Sequence, residues 1–301
     1  MAFVYNPVTN SFSGETQKTG NLGQVMWHIT DECKLNCALC FTKKMRTCMR
    51  AVSEASVPEY VALLKALGVQ KIDISGGEPL LYPHLKCLCT TCLENGIAVT
   101  ITTSGLGLEE NVAWVSEHWS LFSRVILSLD GSEPLHNRLR GSQSAYMGAY
   151  TFYKRLEAAK CENLRINTVV TRPLCDPQEQ KILCDFIAEL SVKEWCLIQP
   201  YPINKTECFD CLAPDMAAFS LFVSRCRSHK ALSHLCITQR TNTDYNAYWA
   251  LYPDGYLYYS NNRTEYDVKI ELTRHLLREI KGNVMQHPQI YISAERKEEI
   301  S

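Results

Sequence analysis

The sequence predicts an α/β fold built on a parallel sheet, and three observations carry that expectation. Short apolar runs rich in β-branched residues recur along the chain, helical stretches separate them, and no hairpin signal interrupts the alternation before about residue 240. Runs of this kind suit strands buried on both faces. Parallel neighbours need crossover helices between them, and those crossovers are nearly always right-handed. Six β–α units in succession fit either a doubly wound sheet or an open barrel fragment. Periodicity alone does not separate the two.

The elements follow in order. Residues 1–22 are polar, with Gly and Asn, and read as an irregular lead-in. The first strand is 24–30 (QVMWHIT), followed by a cysteine-bearing loop. A helix over 56–67 has Ser56 as N-cap, Pro58 in its first turn and Gly68 as its stop. Strands at 69–74, 97–103, 123–129, 164–170 and 192–199 then alternate with helices near 83–95, 108–119, 144–160, 176–190 and 214–228. Beyond residue 240 the style changes. ALYPDGYLYY (250–259) is a hairpin around an Asp-Gly turn, 265–281 reads as a helix, and the tail AERKEEIS is a solvated end. The expected division is therefore a lead-in (1–22), an α/β body (23–235) and a hairpin-plus-helix appendage (236–301).

Composition narrows the function classes. A chain of 301 residues is long enough for a sizeable core. With 31 Lys+Arg against 32 Asp+Glu, neither sign is in excess, so no nucleic-acid partner is expected. The N-terminus has no basic region followed by an apolar stretch, and no window approaches 18 apolar residues, so neither export nor a membrane partner is expected. A reducing, cytoplasmic setting follows, in which the 15 cysteines stay free as metal ligands or small core residues.

The densest constellation is Cys33-Lys34-Leu35-Asn36-Cys37-Ala38-Leu39-Cys40, on the loop directly after the first strand. Three thiolates so close in sequence can converge on one metal centre. Structural zinc wants four protein ligands, and only His28 or Asp31 lies near as a fourth. A ferredoxin-type cluster closes every iron with a further cysteine. A three-cysteine iron–sulfur cluster leaves one iron open, which is what a catalytic metal needs.

Cys33, Cys37 and Cys40, with the aromatic Phe41, resemble the CxxxCxxC signature of the radical S-adenosylmethionine (SAM) superfamily. Further motifs agree in order, each at a strand's end. Ser75-Gly76-Gly77-Glu78-Pro79 is similar to the family's GGEP motif. Thr102-Thr103-Ser104-Gly105 follows strand three, and Ser128-Leu129-Asp130-Gly131 follows strand four, with His136 and Arg140-Gly141 after it. Asn167-Thr168-Val169-Val170 closes strand five, so the resemblance spans about residues 24–212.

The resemblance implies a partial (β/α)6 TIM-type barrel, in which working groups gather at the C-terminal ends of the strands. It also implies that Cys33, Cys37 and Cys40 hold one 4Fe–4S cluster whose open iron takes SAM. Gly76 and Gly77 would let backbone approach the methionine moiety, because a side chain would block it. Glu78 would accept from the methionine ammonium, with Pro79 and Thr102 beside it. Ser104 and Ser128 would serve the ribose or carboxylate, and Arg140 the carboxylate, with Asp130 in the same set. Phe41 and Val169 would flank the adenine. Asn167, costly to bury unpaired, should face a ligand or a fixed partner. An external one-electron donor of flavodoxin or ferredoxin type is implied as a partner.

The remaining cysteines divide. On a helix Cys89 and Cys92 lie about 60° apart with Cys87 on another face, so these three read as core thiols. Cys208-x2-Cys211 sits in a loop, and with Cys196 and Cys236 would form an auxiliary iron–sulfur site like those of the SPASM/twitch lineage. The PDGYLYY hairpin resembles that lineage too, but no cysteine follows Cys236, so the appendage reads as a degenerate version.

The expected activity is hydrogen abstraction from an unactivated C–H of a small polar molecule (a sugar, aminocyclitol, nucleoside or amino acid), leading to epimerisation, dehydrogenation or elimination. The alternative is modification of a ribosomally made peptide, for which 22 lead-in residues are too few to form a leader-recognition domain. A non-catalytic iron–sulfur or SAM-binding protein is the third class. Cys236, Cys196 and Tyr201 are the candidate hydrogen donors.

Overall fold

The computed structural model describes residues 2–6, 11–13, 20–21, 23–46, 50–203, 205–241, 248–260, 268–272 and 290–293. Strands β1 (Ala2–Asn6), β2 (Ser11–Ser13) and β3 (Gly20–Asn21) precede the body. The body's strands are β4 (Gln24–His28), β5 (Lys71–Ser75), β6 (Ala98–Thr103), β7 (Arg124–Ser128), β8 (Leu164–Val169), β9 (Glu194–Ile198) and β10 (Cys236–Arg240). Its helices are α1 (Val57–Ala66), α2 (Leu85–Glu94), α3 (Glu109–Glu117), α4 (Glu133–Arg140), α5 (Ala145–Ala158), α6 (Pro177–Glu189), a single turn α7 (Phe209–Leu212) and α8 (Met216–Ser228). Strands β11 (Tyr248–Leu251), β12 (Tyr256–Ser260), β13 (Val268–Glu271) and β14 (Ile290–Ser293) complete the described elements.

The main sheet runs β10-β9-β8-β7-β6-β5-β4-β11-β12-β13. Each body strand lies in parallel beside its predecessor in sequence. A doubly wound sheet would reverse its order at a switch point. This one never does, so the open-barrel alternative is the right one. The sheet does not close on itself, because β10 and β13 are its edges.

Local chemistry explains the elements. Pro58 lies in the first turn of α1, and Gly68 follows the helix at φ +79°. Asp176 caps α6 by accepting from the N–H groups of Gln178 and Glu179, and Asp215 caps α8 through Ala218 N–H. Along each body strand alternate residues face opposite ways. Val25 and Trp27, Ile72 and Ile74, Val125 and Leu127, and Trp195 and Leu197 are buried in the core under the helices. The intervening positions line a hollow interior.

Five expectations change. The lead-in is not irregular throughout, since β1, β2 and β3 join β14 in a separate antiparallel sheet. Helix α4 falls where no helix was predicted; it is one short element, with Pro134 in its first turn and Gly141 as a left-handed C-cap. The boundary at 235/236 meets the start of β10, which extends the barrel sheet in parallel with β9. The hairpin exists as β11–β12, but β11 pairs in parallel with β4, so the appendage joins the sheet's other side. In the expected helix 265–281, residues 268–271 instead form β13 against β12, their alternating Val-Lys-Ile-Glu pattern suiting an edge strand. The rest of that segment, the tail AERKEEIS and Cys48 lie outside the described residues. Among the described residues no helix is long and apolar enough to cross a membrane.

Candidate active site

The loop after β4 carries the three cysteines, and the chain ties it down from two sides. Asn36 and Ala38 donate their N–H groups to the carbonyls of Arg140 (3.1 Å) and Leu139 (2.8 Å), at the end of α4. The Thr206 hydroxyl donates to the Ala38 carbonyl at 2.6 Å. Gly141 has φ +62°, and a Cβ there would lie 2.5 Å from the Asn36 carbonyl oxygen. Glycine is required at that crossing.

All three thiols are half-buried and face one cavity. Leu35 N–H donates to Cys33 Sγ at 3.4 Å, and Arg46 Nη2 donates to Cys40 Sγ at 3.4 Å. Arg140 Nη1 stands 3.9 Å from Cys37 Sγ. Burial pushes the Cys37 thiol up to about 11, against the pull of Arg140, and it also raises Cys33. Among the described residues no three His, Cys, Asp or Glu side chains close around a single metal ion. An iron–sulfur cubane is wider than an ion and takes each thiolate at a different iron, so this donor set, with two guanidiniums at hand for its negative charge, fits a cluster.

The Gly76-Gly77-Glu78 turn packs against the backbone that leads into the cysteine loop. Gly77 N–H donates to the Thr30 carbonyl and Glu78 N–H to that of Glu32. A Cβ on Gly77 would come within 2.1 Å of the Glu32 carbonyl oxygen, and one on Gly76 (φ +144°) within 2.5 Å of Thr30 O. The glycines therefore serve loop-to-loop packing as well as any ligand. Glu78 is buried, and its carboxylate accepts from the Thr103 and Ser104 hydroxyls and the Ser104 and Leu80 N–H groups. That is a brace between the ends of β5 and β6. Sequence placed Glu78 and Ser104 at the site but did not show this bond between them.

Asp130 and Arg140 form a second brace. Arg140 Nη2 lies 2.6 Å from Asp130 Oδ2, while Asp130 Oδ1 accepts from Val169 N–H at 2.9 Å. Asp130 N–H donates to His136 Nδ1 at 3.0 Å, so that nitrogen carries no proton. Burial, helped by Arg140, lowers the His136 pKa to about 4. A neutral, buried imidazole makes the fold acid-sensitive. Its stabilising contribution is fully present above the unfolded value of about 6.5 and is lost as pH falls through about 4. Urea midpoints at successive pH values should fall through that window, and His136→Asn should flatten the slope. An equal slope in both proteins would show that His136 does not report.

The cavity has a volume of about 230 Å³ and opens at the strands' C-terminal ends. Phe41, Gly76, Gly77, Glu78, Thr102, Ser104, Ser128, Asp130, Arg140, Asn167 and Val169 all line it with the three cysteines, whereas Pro79 starts a buried 3-10 turn behind it. Asn167 Oδ1 has no partner among the described residues. Of the hydrogen-donor candidates only Tyr201 lines the cavity, edge-on to Phe41. Cys196 is buried within β9 outside the lining, and Cys236 is exposed at the start of β10, at the end of the strand away from the mouth. The four cysteines of the expected auxiliary site do not converge either: Cys208 and Cys211 are exposed on the turn at α7, far along the chain's path from Cys236 at the barrel's other end. Sequence reading missed Asp73, Arg165, Thr171 and Arg240, which also line the cavity.

Residues 27–180 match the radical SAM superfamily, just over half of the chain. The chain belongs to that superfamily. As a radical SAM enzyme it uses a 4Fe–4S cluster and SAM and needs an electron donor. It is 27% identical over 250 residues to an "S-adenosylmethionine-dependent nucleotide dehydratase" of Flammeovirga pacifica, covering 79% of this chain and 82% of that protein. Among solved structures it resembles Streptococcus suis SuiB bound to S-adenosylmethionine, with TM-score 0.64 at 18% identity, over 78% of this chain and 59% of that one. It also resembles anSMEcpe with bound AdoMet, with TM-score 0.60 at 14% identity, over 87% and 81%. At such identities the likeness is one of fold.

Proposed function

We propose that Cys33, Cys37 and Cys40 hold the cluster of a radical SAM enzyme that eliminates water from a nucleotide. The likeness to a nucleotide dehydratase over most of both chains carries this reading. The cavity supports it, because its wall presents Arg165 and Arg240, and guanidinium is the side chain best matched to phosphate. When bound, the cluster and SAM supply a 5′-deoxyadenosyl radical able to take hydrogen from an unactivated C–H.

The chain's own residues bind and orient. Gly76 and Gly77 offer a bare backbone to the methionine moiety, and the Asp130–Arg140 and Glu78–Ser104 braces keep the mouth rigid. Phe41 and Val169 flank the adenine, and Ser128 and the open Asn167 oxygen serve its ribose. Tyr201 faces the same space, and its hydroxyl can give a proton to the substrate hydroxyl that leaves as water, while one electron from the external donor completes the dehydrated product. A flavodoxin- or ferredoxin-type donor and a cytoplasmic setting complete the reading.

Peptide modification is the weaker alternative. Solved neighbours include SuiB bound to precursor peptide SuiA and anSMEcpe with bound peptides, but their likeness is of fold alone. The test is anaerobic reconstitution with SAM and reductant across a panel of nucleoside triphosphates. Nucleotide-dependent 5′-deoxyadenosine and a product lighter by one water are expected. A fully loaded enzyme that responds to none of the nucleotides would sink the proposal.

A further inference from the structure

Near the mouth the two braces give the Glu78 and Asp130 carboxylates their donors. The carboxylate of Asp73 lacks such a set. Asp73 sits mid-strand in β5 and is 8% exposed. Its Oδ2 accepts from Gln24 Nε2 at 2.6 Å. Its Oδ1 is buried and has no partner among the described residues, and none of the ion pairs found among them includes Asp73. The side chain lines the cavity.

This placement is built in by the strand. Ile72 and Ile74 are fully buried in the helix-covered core, so alternation sends Asp73 and Ser75 to the interior. A buried carboxylate oxygen without a donor is costly, and folded proteins leave few such groups unsatisfied. One that faces a cavity has its donor on whatever fills the cavity.

The opposite wall has the opposite character. Arg165 on β8 and Arg240 on β10 line the same space. The carboxylate beside Arg165 is Glu194, at 3.5 Å, and it is shared with Arg124 at 2.9 Å. That side therefore presents guanidiniums, and on β5 the Asp73 Oδ1 stands without a donor among the described residues. A ligand that matches both walls carries an anionic group and, elsewhere on its frame, an O–H or N–H donor.

We propose that Asp73 is a specificity-determining residue that accepts a hydrogen bond from a hydroxyl or amino donor of the nucleotide. The assignment rests on the nucleotide reading above and adds which feature of the nucleotide is sensed. A sugar hydroxyl and an exocyclic amino group present the same chemistry, and the experiment separates them.

Binding of CTP, UTP, ATP and GTP, and of their 2′- and 3′-deoxy forms, would be measured on cluster-loaded wild type and on Asp73→Asn. Iron content and SAM affinity report on the integrity of each protein. Asp73→Asn should weaken the best-bound ribonucleotide about tenfold, as loss of one hydrogen bond to a charged group implies. SAM affinity should not move, and KM should rise with little change in kcat. If a sugar hydroxyl is the donor, the deoxy analogue lacking it binds wild type and variant alike. If an amino group is the donor, a wild-type preference for CTP over UTP collapses in the variant. Asp73→Ser gives the same comparison should the Asn variant lose its cluster. Unchanged affinity and selectivity in variants that keep their cluster would overturn the role of Asp73 while leaving the nucleotide reading intact. A wild type that binds none of these nucleotides would remove that reading and the Asp73 assignment with it.

Discussion

Alanine at any one of Cys33, Cys37 or Cys40 is expected to take iron from about four per chain to near zero and SAM cleavage to background. The severity follows from the surroundings. The nearby side chains able to replace a lost thiolate are His28 and Asp31. His28 is 1% exposed and stacked against Tyr252 with ring centroids 4.3 Å apart. Burial, with Arg46 adding to it, lowers its pKa to about 3, so it stays neutral but immobile under that ring. Asp31 is 5% exposed, and its Oδ2 accepts the Arg50 N–H at 3.3 Å. Neither can swing into the cavity without breaking its own packing. Iron and acid-labile sulfide counts on anaerobically purified variants, with 5′-deoxyadenosine yield, check this. Cys208→Ala/Cys211→Ala is the matched control, since those thiols are exposed and outside the cavity. A Cys33, Cys37 or Cys40 variant that kept full iron and full cleavage would remove the ligand assignment.

What could be read from sequence, and what could not, has a physical pattern. The six strands β4–β9 are legible because each is an apolar, β-branched run with its outward face packed on helices. β10 is not, because Cys-Ile-Thr-Gln-Arg is a sheet edge in which no residue is fully buried. The mouth is legible because glycines, cysteines and charges at strand ends are unusual and fall in a recognisable order. The strand-borne charged lining is not. Asp73, Arg165 and Arg240 sit at alternating strand positions that would face solvent in a half-buried sheet, and only curvature of the sheet makes them interior. Partners were hidden as well: Arg140 reads as a ligand-binding cation, yet its nearest anion is Asp130 of the same chain. Cys236 shows the same limit, since membership of a strand does not say which end of the barrel a residue occupies.

That pairing sets the other large expected effect: Arg140→Ala should cost about 3–5 kcal/mol of stability, as loss of one partner of a buried ion pair does. Asp130 is 5% exposed and would keep only the Val169 N–H as a donor to its carboxylate. The Arg140 side chain is itself largely covered, so solvent offers little replacement. At the scale of a chain this long, the melting temperature should fall by about 10 °C. Function should suffer more than stability alone explains, because α4's last turn holds the cysteine loop through the Arg140 and Leu139 carbonyls. Arg140→Lys keeps the charge but presents one ammonium where a planar fork now spans Asp130 and Cys37, so it should fall between wild type and Ala. Pairing Arg140→Met with Asp130→Asn removes both charges and should recover part of the melting loss without recovering SAM cleavage. Thermal melts of cluster-free protein isolate the fold, and iron content after reconstitution isolates the loop. An Arg140→Ala protein that melts with wild type and takes up iron normally would show that the pair holds neither.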